Sequence, residues 1–517
     1  MKKRKNVLKG IRLFLLFIII FLLFILLNSA NWFLDNFDIE FSTALYQLFS
    51  PLKGTASDVI NDYLKSCLYP SIFVSLLFLV FYNVYDDIML KKLVLEFDIR
   101  IWKKEFSIRN AGKIIKNFVL GVVFLALCIL IWNRAVSIGI PEYIQNIVNS
   151  SMLFEEEYID PNDVSIVFPE KKRNLLLIYM ESMETTYASV DDGGGKPVNY
   201  IPELTALANR NLYFSNDNDL GGARNYASAG NTTSSLLASS SGINYKLPIG
   251  LTSIGKYEVF LPGVTTIGDI LDDAGYKNYF MCGSNAAFSG RLDFYTQHGN
   301  YCIYDYNSAK DDGIIPEDYH VFWGMEDLYL YEYAKQELTK IATGAEPFNF
   351  TMLTVDTHFS DGYICELCGN QYPEKYANVI ACADKQISQF IDWIKEQDWY
   401  EDTTVVIAGD HLSMNIEFWD DIGDYDRRIY NCFINLPEGL HASRTANRAF
   451  SNMDMFPTIL TAMGVDIEGE RLGLGTNLFS DEQTLAEKMG EEAFDAELEL
   501  YSNYYYSNFI IADNADE

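Results

Sequence analysis

Apolar positions fall into two regimes along this chain. In the first quarter they form long unbroken runs; beyond about residue 134 they come as short runs separated by amphipathic stretches. Three of the long runs stand out: Ile11 to Ala30 (IRLFLLFIIIFLLFILLNSA), Tyr69 to Tyr85 (YPSIFVSLLFLVFYNVY) and Phe118 to Trp132 (FVLGVVFLALCILIW). A helix needs about 20 largely apolar residues to cross the hydrocarbon core of a bilayer. The first run meets this, and the other two reach it with tolerant flanking residues. Tyr and Trp at their ends suit the membrane interface. No small-residue cleavage site follows the first run, so it reads as a retained anchor.

The polar positions between these runs orient them. The start, MKKRKNVLKGIR, is strongly basic, and the loop after the second run carries Lys91, Lys92, Arg100, Lys103, Lys104, Arg109, Lys113 and Lys116. The loop between the first two runs has only Lys53 and Lys65. Basic loops stay inside. Three crossings predict a multi-pass cell-membrane protein whose residues after about Trp132 are extracytoplasmic. A further short or interfacial helix fits within residues 41–66, and an even number of crossings would invert the orientation.

In the remainder the pattern is α/β. Asn174 to Met180 (NLLLIYM) is a continuous apolar run, as expected of a strand buried on both faces. Asn278 to Cys282 follows a helical pattern (IGDILDDAGYK) that ends at Gly275. Phe348 to Val355 is a third run, and Thr403 to Ala408 follows a long helical pattern from Tyr376 to Gln397. Strands alternating with helices predict a mainly parallel sheet flanked by helices. The resulting organisation is a transmembrane anchor over 1–133, an extracytoplasmic linker over 134–170 whose latter part, Met152 to Glu170, is irregular and acidic, a large domain over 171–481, and an acidic, Tyr-rich segment over 482–517.

Charge sharpens this division. The 517 residues carry a formal charge of -32. Residues 1–133 hold 16 Lys and Arg against 10 Asp and Glu, whereas residues 134–517 hold 23 against 61. Such an acidic domain repels phosphate backbones and excludes nucleic acid as a partner. An anionic substrate there requires a local positive site, a metal or a placed Arg. Of the eight cysteines, Cys365 and Cys368 form CELC in the exported domain, where a local disulfide or free thiols are expected before a metal or redox site.

The candidate chemistry lies just after the strands. The first run ends in Glu181, and the second leads into a loop reaching Arg291. The third leads into Asp356, Thr357 and His358, and the fourth into Asp410 and His411. In a parallel sheet these carboxyl ends share one edge, where ligands bind. Glu181, Asp410 and His411 offer two carboxylates and an imidazole, enough to begin the shell of a divalent ion. With only five His in the chain, a single metal with mostly oxygen ligands is expected: manganese or magnesium, with zinc as an alternative. The segment Gly230-Asn231-Thr232-Thr233-Ser234-Ser235 reads as a loop feeding a helix N-terminus. A metal-bound hydroxyl there could attack phosphorus; ordinary helix capping is the competing reading, and composition does not choose among Thr232, Thr233, Ser234 and Ser235. Arg291 could clamp phosphate oxygens. His358 could move a proton or bind a phosphate oxygen, and His298 is a further candidate of that kind.

Taken together, LLLIYMESMETTY, GNTTSSLLASSSGI, VDTHFSDGY, VVIAGDHLSMN and SNMDMFPTILTAMGV resemble the sulfatase/alkaline-phosphatase superfamily. Within it they resemble the branch of lipoteichoic acid synthases and phosphoglycerol transferase I. The resemblance covers roughly residues 170–480 and extends to the multi-pass anchor. It implies a sulfatase-like fold and one divalent metal ion, manganese first, held by Glu181, Thr232, Asp410 and His411. Thr232 is the implied nucleophile because Ser235 follows three positions on and Gly242 ten on. Arg291 matches the family's phosphate-binding Arg, and His358 its substrate-site His. Cys282 stands where lipoteichoic acid synthases carry a His, nine residues before the Arg; this departure weakens the polymerase assignment and leaves transferase chemistry untouched. The implied reaction moves glycerophosphate from phosphatidylglycerol, through a threonine intermediate, to an extracytoplasmic glycan or teichoic-acid-like acceptor. A phosphoethanolamine transferase or a sulfatase-like hydrolase is the alternative within the fold. A sulfatase proper needs Cys or Ser in a Cys/Ser-x-Pro-x-Arg motif, and no Pro or Arg stands beside Thr232.

Overall fold

The computed structural model describes residues 2–36, 41, 57–88, 97–101, 104–108, 111–227, 229–246, 259–415 and 417–511. The chain divides into two compact units, with the division after Glu142.

The first unit contains three helices long and apolar enough to cross a membrane, Val7–Asn36, Val59–Tyr85 and Gly112–Ser137. Each contains one of the three expected runs, the first and third extended at both ends and the second at its start. Their side chains are largely exposed and apolar, as lipid-facing positions would be. A few polar pairs join them: Asn28 Nδ2 donates to Ser71 Oγ at 3.0 Å, and the Ser29 and Tyr63 hydroxyls lie 2.9 Å apart. Such bonds satisfy polar groups that a bilayer would leave unpaired. Of the stretch expected to hold an additional helix, residues 57–66 are helical and run directly into the second span. Residues 42–56 lie outside the described residues.

The second unit is built on a six-stranded sheet. In chain order its strands are β1 (Asn174–Met180), β2 (Lys277–Cys282), β3 (Cys302–Tyr304), β4 (Phe348–Leu353), β5 (Thr403–Gly409) and β6 (Asn431–Ile434). Their spatial order is β3-β2-β4-β1-β5-β6. All neighbours are parallel except the edge pair β5 and β6. The continuous apolar runs have the expected consequence. Leu175, Leu177 and Tyr179 of β1 enter one hydrophobic core, while Leu176, Ile178 and Met180 enter another on the opposite face. A strand apolar at every position is stable only when both faces are covered. The two edge strands, β3 and β6, are short and were not anticipated.

Segment 482–511 does not trail away from this unit. Leu485, Phe494, Leu498, Tyr505, Phe509 and Ile510 are buried in the same core as Leu153 and Phe154. Its acids are also used, with Arg428 Nη1 2.9 Å and Arg224 Nη1 3.2 Å from Glu491. The irregular stretch before β1 is likewise ordered, with Ile166–Val167 pairing antiparallel with Asp466–Ile467.

Candidate metal centre and its surroundings

Sheet register assembles the site. β1 lies between β4 and β5, with Met180 opposite Gly409 and Tyr179 opposite Leu353. The next residues, Glu181 and Asp410, therefore leave the sheet side by side at its carboxyl edge. Beyond Glu181 the chain turns back sharply: Ser182 adopts φ 52°, and its N–H donates to Asp410 Oδ1 at 2.8 Å. A Cβ at Gly409 would stand 1.9 Å from the Met183 carbonyl oxygen, so only glycine lets this turn cross the end of β5.

Thr232 reaches the same point from the Thr232–Ser241 helix. The cap of this helix is Asn231, whose Oδ1 accepts from Ser234 N at 3.1 Å. The neighbouring hydroxyls are also engaged. Thr233 Oγ1 donates to the Ser289 carbonyl at 3.1 Å, Ser234 Oγ accepts from Asn231 Nδ2 at 2.8 Å, and Ser235 Oγ donates to the Asp410 carbonyl. Thr232 alone of the four directs its hydroxyl at the Glu181 and His411 side chains. Its Oγ1 is 3.2 Å from Glu181 Oε2 and 3.4 Å from His411 Nε2, and the residue is only half-buried. Capping, the competing sequence reading, is thus discharged by another residue.

The donor set fits a cation. One atom each from Glu181, Asp410 and His411, all buried, lies within 4.8 Å of the other two. His411 Nδ1 is 2.8 Å from the Leu412 carbonyl, which can only accept, so Nδ1 carries a proton and the neutral ring presents its lone pair on Nε2. That lone pair faces Glu181 Oε1 at 3.4 Å and Asp410 Oδ2 at 3.5 Å, and among the described residues no group donates a hydrogen bond to Asp410 Oδ2. Acceptors facing acceptors in a buried site call for positive charge between them. The pKa shifts reflect the same field. Burial, then the Glu181 charge, pushes the Asp410 carboxyl up to about 7. At His411 burial favours the neutral ring, but Asp410 and Glu181 outweigh it and raise the pKa.

Supporting bonds hold these groups in place. Ser182 Oγ donates to Glu181 Oε1 at 2.7 Å, and Glu181 N donates to Thr354 Oγ1 at 2.9 Å. Asn452 Nδ2 donates to the Asp410 carbonyl at 2.8 Å and also to Ser235 Oγ. Glu184 takes a bidentate bond from Arg427 at 2.6 and 2.8 Å and accepts from Ser413 N at 3.0 Å, pinning the loop after His411. Nothing in the sequence singles out Ser182, Asn452, Glu184 or Arg427 as site residues, and Ser235 stands there as one of four candidate hydroxyls and as a spacing mark after Thr232. Only the Asp-x-x-Pro-Thr pattern beginning two residues after Asn452 could have drawn attention to it.

Arg291 is buried. Nη2 donates to Ser284 Oγ at 2.9 Å, and Nε donates to the Phe288 carbonyl at 3.2 Å. The Thr233–Ser289 bond ties its loop to the start of the Thr232 helix. His358 packs at a tilt against Trp323, with ring centroids 4.5 Å apart and planes at 54°, and its Nδ1 donates to the Phe359 carbonyl at 2.9 Å. Burial lowers its pKa to about 4, and charges at His411, Asp410 and Arg291 act on it, so these groups share one electrostatic neighbourhood. His298 is placed differently. Nδ1 lies 3.3 Å from Asp269 Oδ2, Nε2 lies 2.7 Å from the Phe260 carbonyl, and among the described residues no hydrogen bond or ion pair links it to the cluster.

A parallel α/β sheet with a carboxylate pair and an imidazole at its carboxyl edge, faced by a hydroxyl at a helix start, defines a hydrolase- or transferase-type fold built around a metal-competent centre. A family model described as Sulfatase matches residues 173–465, and the chain belongs to that family. Phosphoglycerol transferase I of Salmonella choleraesuis (strain SC-B67) is 33% identical over 325 residues, 62% of this chain and 40% of that protein. Its counterpart from Escherichia coli O127:H6 (strain E2348/69 / EPEC) is 32% identical over 333 residues, 63% of this chain and 41% of that protein. The match thus spans about 40% of the length of these curated relatives. Among solved structures, the integral membrane protein lipooligosaccharide phosphoethanolamine transferase A (EptA) from Neisseria meningitidis shares the fold. Its TM-score is 0.50 at 15% identity, covering 87% of this chain and 84% of that one.

Proposed function

We propose that this chain is a metal-dependent phosphoglycerol transferase, moving glycerophosphate from phosphatidylglycerol to an extracytoplasmic glycan or teichoic-acid-like polymer through Thr232. The observation that carries the reading is the Thr232 hydroxyl, directed at Glu181 and His411 from a helix start whose cap is supplied by Asn231. The names of the relatives support the transferred group, and the three apolar helices suit a lipid donor.

Glu181, Asp410, His411 and Thr232 would hold one divalent ion. Mostly oxygen donors favour manganese, then magnesium, with zinc as an alternative. When bound, such an ion would lower the pKa of the Thr232 hydroxyl and offset negative charge on the phosphoryl oxygens. Thr232 Oγ1 attacks phosphorus and gives up its proton, the P–O bond to diacylglycerol breaks with that oxygen taking up a proton, and a glycerophospho-threonine forms. Arg291, with its guanidinium oriented by Ser284 and the Phe288 carbonyl, binds the phosphoryl oxygens. His358 is neutral at physiological pH with its proton on Nδ1, so Nε2 takes the proton of the acceptor hydroxyl as that oxygen attacks and Thr232 leaves. The Nδ1 and Nε2 contacts of His298 suit a structural strut better than a substrate contact. By this reading residues 1–133 anchor the enzyme and the domain lies outside the cytoplasm.

The test is incubation of the full chain with head-group-labelled phosphatidylglycerol and manganese. Label on Thr232 with release of diacylglycerol is expected, and Thr232→Ala should stay unlabelled. Intact lipid with unlabelled protein would overturn the proposal, as would label taken only from phosphatidylethanolamine.

A further inference from the structure

A second buried cluster lies in the segment following β4. Cys365 and Cys368 sit on the loop before the Lys375–Lys395 helix, and Cys382 sits on that helix. The Cys365 sulfur is 3.6 Å from that of Cys368 and 3.8 Å from that of Cys382, and the three sulfurs lie within 4.8 Å of one another. Cys365 and Cys382 are buried, while Cys368 is half-buried and gives access from the surface. All three are free thiols. These separations exceed the covalent S–S length of about 2.05 Å. They match the edge of a thiolate tetrahedron, since metal–sulfur bonds of about 2.3 Å at the tetrahedral angle place sulfurs about 3.8 Å apart. The surroundings favour negative charge on one sulfur of the three. Gln386 Nε2 lies 3.5 Å from the Cys382 sulfur and 3.9 Å from that of Cys365. Hydrogen bonds from Cys368 and then Cys382 hold the Cys365 thiol well below its ordinary pKa, while the same bonds raise those of Cys368 and Cys382, which keep their protons until a metal displaces them.

We propose that Cys365, Cys368 and Cys382 form a three-thiolate zinc site, separate from the Glu181–Asp410–His411 cluster and independent of the reaction proposed above. Soft sulfur donors select zinc over manganese or magnesium. Binding forms three Zn–S bonds and releases to solvent the protons that Cys368 and Cys382 carry, Cys365 entering as the thiolate. Among the described residues no His, Asp, Glu or further Cys completes the group. The fourth position therefore falls to water or to the Gln386 amide oxygen after an amide flip. The site would staple the loop carrying His358 onto the Lys375–Lys395 helix. Lys375 Nζ already reaches the Gly362 carbonyl at 2.7 Å, and Asn415 Nδ2 reaches Asp361 at 2.9 Å.

The full chain, purified under reductant and loaded with zinc, tests this by elemental analysis and X-ray absorption. One zinc with a sulfur-dominated shell is expected, absent in Cys382→Ser and retained in Asp410→Asn. Cobalt loading should give a thiolate-to-cobalt charge-transfer band that Cys382→Ser lacks. Should Cys382→Ser fail to fold, Cys368→Ser and thiol titration of the unmodified protein serve instead: zinc should protect three cysteines until a chelator is added. A zinc shell of nitrogen and oxygen alone, or no protection of thiols, would overturn the proposal. So would a protein lacking two hydrogens in mass, with Cys365 bonded to Cys368 or Cys382.

Discussion

The two buried ligand clusters of the globular unit are assembled in opposite ways. The Glu181, Thr232, Asp410 and His411 group draws on two strand ends and a helix start separated by most of the domain. The three cysteines come from one loop and the helix that follows it. The first exists only if β1 and β5 pair in register; the second needs little more than local folding. Their donors differ as well, hard oxygen and imidazole against soft sulfur, so neighbouring parts of one domain should hold different ions. A site that depends on the whole sheet is suited to chemistry requiring fixed distances, and a local one to stapling.

The sharpest way to break this comparison is Thr232→Ala. It should reduce transfer from phosphatidylglycerol by about 10³-fold or more while leaving zinc at the cysteines unchanged. Arg291→Lys should follow, with kcat down about 10²-fold, because a guanidinium fixed by Ser284 and the Phe288 carbonyl becomes a flexible point charge. Asn452→Ala removes a bond to the Asp410 carbonyl. It should weaken manganese binding by roughly 10–100-fold, read by calorimetry, without touching the sulfur cluster. Cys382→Ser should lower the thermal midpoint of the zinc-loaded protein by several degrees and change kcat by less than about tenfold, since it removes ligand-linked stability and no reacting group. If it abolished transfer, the two clusters would not be separable.

The smallest effect concerns pH. Burial pushes the Asp454 carboxyl up to about 6, against N–H groups of Ser451 and Thr476 that pull it down. An acid raised in the folded state keeps its proton after the unfolded chain has released it. Its contribution to stability is therefore full below about pH 4 and is lost as pH rises toward about 6. Asp454→Asn should remove that slope, at most about 1.4 kcal/mol per pH unit, measured as urea midpoints at stepped pH.

Much of this architecture was legible before folding. NLLLIYM could be stable only inside a two-sided sheet, and the three apolar runs could only be long helices. Glu181, Asp410 and His411 were findable because each follows such a strand. The short edge strands Cys302–Tyr304 and Asn431–Ile434 carry too few residues for a period to show. Cys382 lies within a helical pattern whose spacing to CELC says nothing about distance. The acidic composition of residues 482–511 hid the six apolar anchors that bury them.

Periodicity and residue type thus determined the class of fold, the strands and the chemical kind of each candidate group, because burial of apolar faces is a local demand. Which hydroxyl of Thr232, Thr233, Ser234 and Ser235 meets the carboxylates, and that three cysteines touch, were decided only by tertiary structure. Those outcomes depend on helix rotation and strand register, where a shift of one residue turns a side chain to another face.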